Sequence, residues 1–95
     1  MARRRYLMAY DISDDVRLRQ VHTVAKTYGY PLQYSVFLCD LDRTELIRMK
    51  QELGETIKHT IDRVVIIDLG DADLRRFQFM GVRPSVDLPT GPTIV

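Results

Sequence analysis

Asp11 is the acid of this chain that structural roles explain least. It closes the apolar run Arg5-Tyr6-Leu7-Met8-Ala9-Tyr10-Asp11-Ile12 and stands ahead of a helix start at Ser13-Asp14-Asp15. It therefore neither caps that helix nor sits on a solvated face. An ionised carboxylate taken out of water is costly unless it is paired or bound to a metal. Partial solvent access at a strand end lowers that cost, and acceptance of backbone N–H groups from the next turn is the structural alternative. One carboxylate per chain is too few for a magnesium site built from protein alone. Magnesium, however, keeps several waters and takes only one or two carboxylates plus phosphate oxygens. A twofold dimer would supply a second Asp11. With Mg–O near ~2.1 Å, oxygens shared by one ion lie at most roughly 4.2 Å apart. A metal held so can activate water and neutralise charge developing on a phosphodiester.

Phosphate-binding groups lie close by. Arg17 and Arg19 open the helix beyond Asp11, where they could hold the phosphates of a passing strand, although Arg17 could equally pair with Asp14. Eleven of the fourteen basic residues are arginine, whose planar fork suits phosphate oxygens. The net charge is only +1, but it is unevenly spread: residues 1–30 carry six basic and three acidic groups, and residues 40–76 seven and nine. Arg3, Arg4 and Arg5 form either a nucleic-acid patch or an ordinary charged strand start. Tyr10 and Phe37 could stack on bases, against the commoner reading of strand aromatics as core. Asp14 and Asp15 complement the helix dipole. His22 falls on the polar face of the helix with Arg19, Thr23 and Lys26, and no partner spacing marks it as a base. A single cysteine, Cys39, excludes a disulfide framework and a cysteine-rich zinc site, and packs as a small apolar residue. Any metal must then be held by oxygen ligands.

These groups need elements to position them. Residues 5–12 read as a central strand covered on both faces. Ser13 offers an N-cap hydroxyl, and Leu18, Val21, Ala25 and Tyr28 recur at helical spacing up to Gly29. Pro31 closes a turn, and residues 32–41 alternate as a strand. Asp42-Arg43-Thr44-Glu45 resembles a capping box ahead of the helical stripe Leu46, Met49, Leu53 and Ile57. Residues 60–69, rich in β-branched types, form the clearest strand. Phe77 to Met80 is a short strand stopped by Gly81. Three of the four prolines follow, so residues 82–92 lie over a surface, and Thr93-Ile94-Val95 adds as a short fifth strand to a sheet edge, its own or a partner's.

Ninety-five residues make one domain, divided as a core over residues 1–81 and a tail over 82–95. The expected fold class is α+β, a ferredoxin-like βαββαβ sandwich with both helices on one sheet face. Apolar strands imply that the other face is covered too, most simply by a second copy in a homodimer. No apolar run reaches the roughly 18 residues needed to cross a bilayer, and Ala2-Arg3-Arg4-Arg5 leads into no signal-peptide core. A cytoplasmic protein is expected.

The motifs taken in order resemble a known family. Tyr10-Asp11-Ile12-Ser13-Asp14-Asp15, then Arg17 and Arg19, Tyr28-Gly29, and Gln33-Tyr34-Ser35-Val36-Phe37 are similar to the Cas-two family of CRISPR-associated proteins. The helix near Leu41-Asp42 and the segment from Arg75-Arg76-Phe77 to Gly81 agree with it. The resemblance implies a ferredoxin-like homodimer that partners the Cas-one integrase in spacer acquisition. It also implies a magnesium-dependent endonuclease, with manganese as the substitute ion, acting on RNA or double-stranded DNA. Asp11 becomes the catalytic and metal position, and Tyr10, Ser13, Arg17, Arg19 and Phe37 become nucleic-acid-binding positions. The competing expectation is a non-catalytic dimeric scaffold that holds duplex DNA through arginine–phosphate contacts. A small-molecule regulatory domain of the same fold is a weaker third, since an apolar effector pocket needs no acid-and-arginine cluster.

Overall fold

The computed structural model describes residues 2–72, 78–82 and 93–94. The apolar run becomes strand β1 (Arg4–Asp11), which is central as expected. It is followed by α1 (Asp15–Tyr28), β2 (Tyr30–Gln33), β3 (Val36–Leu41), α2 (Arg43–Thr56) and β4 (Arg63–Asp71). The sheet order is β2-β3-β1-β4, with every neighbouring pair antiparallel. β3 thus lies between β1 and β2, the two strands that α1 connects. No helix among the described residues is long and apolar enough to cross a membrane.

Strand alternation divides the sheet into two unlike faces. From β1, Tyr6, Met8 and Tyr10 point into a core shared with Val21 and Ala25 of α1, Phe37, Cys39 and Leu41 of β3, and Met49 and Leu53 of α2. The opposite face takes Leu7 and Ala9 from β1, Val36 and Leu38 from β3, and Val65 and Ile67 from β4 by register. Val65 and Ile67 remain 43% and 47% exposed there. Near its far end Arg5, 2% exposed, forms a fork to Asp40 with contacts of 2.7 and 2.8 Å. Arg4 pairs with Asp68 and Arg3 with Glu45, so the run of three arginines is a set of structural ion pairs.

Several boundaries differ from the sequence reading. The expected single strand over 32–41 is a hairpin, turned at Tyr34-Ser35. That pair carries none of the glycine or asparagine that normally marks a two-residue turn, so alternation alone read straight through it. Pro31 lies inside β2 rather than closing a turn, which the edge position of β2 permits. The helix cap is Asp14, not Ser13: its carboxylate accepts from Arg17 N at 2.9 Å. The capping box of Asp42 and Glu45 is present with both reciprocal bonds. β4 starts at Arg63 rather than residue 60, because the Asp62 carboxylate accepts from Lys58 N (2.8 Å) and holds the preceding residues in a turn. The expected strand over 77–80 is β5 (Gln78–Phe79), and it lies outside the four-stranded sheet. It pairs in parallel with β6 (Thr93–Ile94), so the terminal strand finds its edge within its own chain. Of the expected surface course over residues 82–92, Val82 is described and exposed; residues 83–92, and the motif residues Arg75, Arg76 and Phe77, lie outside the described residues.

Gly29 ends α1 by close approach. Its φ of −150° is open to any residue, but a Cβ there would stand 2.5 Å from Cys39 Sγ and 2.8 Å from the Leu38 carbonyl oxygen. Neither neighbour is free to move, since Leu38 and Cys39 are buried in β3. Gly29→Ala is expected to lower unfolding free energy by about 2 kcal/mol, the scale of overpacking a closed site, measured by urea denaturation.

Candidate nucleic-acid site at the end of β1

The C-terminal end of β1 meets the start of β4, the β2–β3 turn and the first turn of α1. Asp11 is exposed there, and its carboxylate makes no hydrogen bond or ion pair with any described residue. The cap bond that could have satisfied it belongs instead to Asp14. Ile12 is buried immediately behind it and Ser13 is exposed. Asp11 pairs in register with Arg63 of β4, and the two line a shallow hollow of about 150 Å³ with Ala9, Tyr10 and Val65. The Arg63 side chain is also exposed and unpaired among the described residues. Sequence reasoning missed Arg63 because only the β1–β4 register brings it beside Asp11.

The two helix arginines part company. Arg17 forms a fork to Asp62 at 2.7 and 3.2 Å, with Asp14 at 3.8 Å, and the Asp62 side chain is wholly buried. The Arg17 hydrogen bond, helped by the Lys58 backbone N–H, holds the Asp62 carboxyl below its ordinary range. Arg17 therefore clasps the first turn of α1 to the residue before β4. Arg19 is exposed, and its side chain makes no bond to a described residue. Of the pair, Arg19 is the one open to a phosphate.

Tyr10 and Phe37, expected as stacking residues, have their rings in the core at 6% and 0% exposure. They face the helices because even positions of β1 and odd positions of β3 do so. The Tyr10 hydroxyl donates to the Tyr34 carbonyl oxygen at 3.0 Å and lies 2.9 Å from His22 Nδ1, itself 3.1 Å from the same carbonyl. In the tautomer that carries its hydrogen on Nδ1, His22 donates to both oxygens. Burial, with Tyr34 nearby, pushes the Tyr10 phenol up to about 12. His22, which the sequence left on a solvated face, is half-buried and stacks on Tyr34.

Burial likewise pushes the Cys39 thiol up to about 12. Both acids hold their protons more tightly in the folded chain, so their contribution is complete below the unfolded values of about 8.5 and 10. It is lost as the pH rises towards 12. Urea midpoints measured from pH 8 to 12 should fall across that window, and Cys39→Ala should flatten the earlier part of the decline.

Among the described residues no group of three or more His, Cys, Asp or Glu side chains could hold a metal. What the end of β1 offers is the open Asp11 carboxylate. That suits magnesium only as one of two protein ligands, with water and phosphate oxygens completing the shell.

Comparison with known proteins identifies the family. Residues 4–77 match the family described as CRISPR associated protein Cas2. The CRISPR-associated endoribonuclease Cas2 of Geobacter sulfurreducens is 40% identical over 68 residues, 72% of either chain. The CRISPR-associated endonuclease Cas2 of Halalkalibacterium halodurans is 34% identical over 87 residues, 86% of this chain and 91% of that one. Among solved structures, the hypothetical protein TT1823 from Thermus thermophilus superposes with a TM-score of 0.77 at 30% identity, covering 86% of this chain and 95% of the other. On these matches, and on the motif residues placed above, the chain belongs to the Cas2 family of CRISPR-associated proteins.

Proposed function

We propose that this protein is a metal-dependent endonuclease of RNA or DNA that works as a ferredoxin-like homodimer with the Cas-one integrase in spacer acquisition, in the cytoplasm. The observation that carries the reading is the Asp11 carboxylate, exposed at the end of β1 and unpaired among the described residues. Family relatives named as endoribonuclease and endonuclease support the reaction class. The apolar sheet face formed by Leu7, Ala9, Val65 and Ile67 supports the dimer, since a chain this small gains much of its burial from a second copy. Two facing copies would set two Asp11 carboxylates against one phosphodiester.

Each side chain then has a defined task. The paired Asp11 groups hold a magnesium or manganese ion, which when bound supplies a more acidic water and offsets phosphate charge. Arg63 and Arg19 bind phosphate oxygens and fix the register of the strand. Arg17 positions the helix start through Asp62. The test compares wild-type and Asp11→Asn protein for magnesium-dependent cleavage and for binding to labelled RNA and duplex DNA. Loss of cleavage with binding retained is expected. Unchanged cleavage overturns the enzyme reading and leaves the dimer as a DNA-holding scaffold.

A further inference from the structure

Tyr34 occupies a position that turn chemistry disfavours. Two-residue hairpin turns select small residues able to adopt positive φ, yet this one presents Tyr34-Ser35, and no described non-glycine residue has positive φ. The Tyr34 side chain is left 58% exposed. Departures from local rules of this kind gather at functional positions.

The ring is also held in place from behind. His22 lies parallel to it, with centroids 4.3 Å apart and planes 8° from each other. His22 in turn meets the buried Phe37 ring in a T-shaped contact, with centroids 5.5 Å apart and planes at 71°. The Tyr10 hydroxyl and the Tyr34 carbonyl oxygen both lie within hydrogen-bond reach of His22 Nδ1. One face of Tyr34 is thereby covered and the other is open to solvent. The turn itself is tied to β1 by Tyr10 N donating to the Ser35 carbonyl oxygen at 3.1 Å, one residue from Asp11. Arg19 stands one helical turn before His22 on the same face of α1, exposed and unpaired among the described residues.

We propose that the open face of Tyr34 is a stacking platform for an unpaired nucleobase of a single-stranded nucleic acid whose backbone passes the end of β1. A fixed aromatic ring with an arginine beside it is the chemistry that binds single strands, because every base has a π face and every nucleotide a phosphate. A duplex keeps its bases stacked on one another and cannot use the platform except at a frayed end. The His22–Tyr10 support holds the ring in its binding pose before the base arrives, which reduces the ordering cost on association. The inference deepens the nuclease reading and rests on it for the path of the strand.

The experiment uses the full-length Asp11→Asn protein, so that substrate stays intact, with 2-aminopurine-containing RNA and DNA single strands and a blunt duplex of the same sequence. Binding should quench the 2-aminopurine fluorescence of both single strands and leave the duplex signal unchanged. Tyr34→Ala should weaken single-strand binding about tenfold, the scale of one lost stacking contact, while duplex affinity stays within about twofold. Tyr34→Phe should restore both the affinity and the quenching. Absence of quenching in the Tyr34-containing protein overturns the proposal without reference to any Tyr34 variant. An equal loss on duplex and single strand for Tyr34→Ala, or a Tyr34→Phe protein as weak as Tyr34→Ala, overturns it as well. Failure of the nuclease reading shows separately, as cleavage that persists in Asp11→Asn.

Discussion

Asp11→Asn is expected to lower metal-dependent cleavage by at least about a hundredfold, a modest figure for removing a group that acts directly on the reacting water. The substitution keeps size and shape and removes only the negative charge. Because the carboxylate is exposed and bonded to no described residue, its loss leaves no orphaned partner in the fold. Thermal midpoint and dimer mass should therefore be unchanged, and affinity for nucleic acid should stay level or rise as repulsion from phosphate falls. Rate, melting and gel-shift measurements on one preparation separate these effects. A fall in melting temperature parallel to the fall in rate would assign Asp11 to the fold instead.

The second large effect is expected at Ile67. Its side chain stands 47% exposed beside Val65 on the apolar face of the sheet, opposite Leu7 in the β1–β4 register. Ile67→Asp would place one carboxylate per copy in the face that the proposed dimer buries. Losing an apolar contact from both copies at once removes about 3 kcal/mol, and a buried unpaired charge adds to it. The dimer dissociation constant should rise more than about a hundredfold, giving a monomer by sedimentation at micromolar concentration. Cleavage should vanish with it, since one chain holds one Asp11. Full cleavage by a proven monomer would show that pairing of the two acids is unnecessary. The helix-facing core is untouched by the change, so the monomer should remain folded by circular dichroism.

What the sequence showed and what it hid follow from how far each signal reaches along the chain. β1, both helices, the Asp42–Glu45 capping box and the buried Cys39 were legible, because apolar periodicity and cap chemistry act within a few residues. Asp11 was legible for the same reason: it breaks a local pattern. The hairpin at Tyr34-Ser35 was hidden, since its turn residues give no turn signal and alternation continues on both sides. Arg17 was read as a phosphate contact or a partner of Asp14, and Arg63 was passed over. The partner of Arg17, Asp62, is forty-five residues away, and the closeness of Arg63 to Asp11 exists only through strand register. The inward turn of Tyr10 and Phe37 depends on which strand face the helices cover, a tertiary choice that alternation leaves open.

The two margins of the four-stranded sheet are not equivalent. On one side β2 carries Pro31, which has no N–H to donate, and an irregular register between Pro31 and Gln33; both discourage a further strand from zipping on. On the other side β4 runs for nine residues with no described strand beyond it. An extended peptide recruited by backbone pairing would therefore meet along β2 an obstacle that the proline-free sequence of β4 does not present.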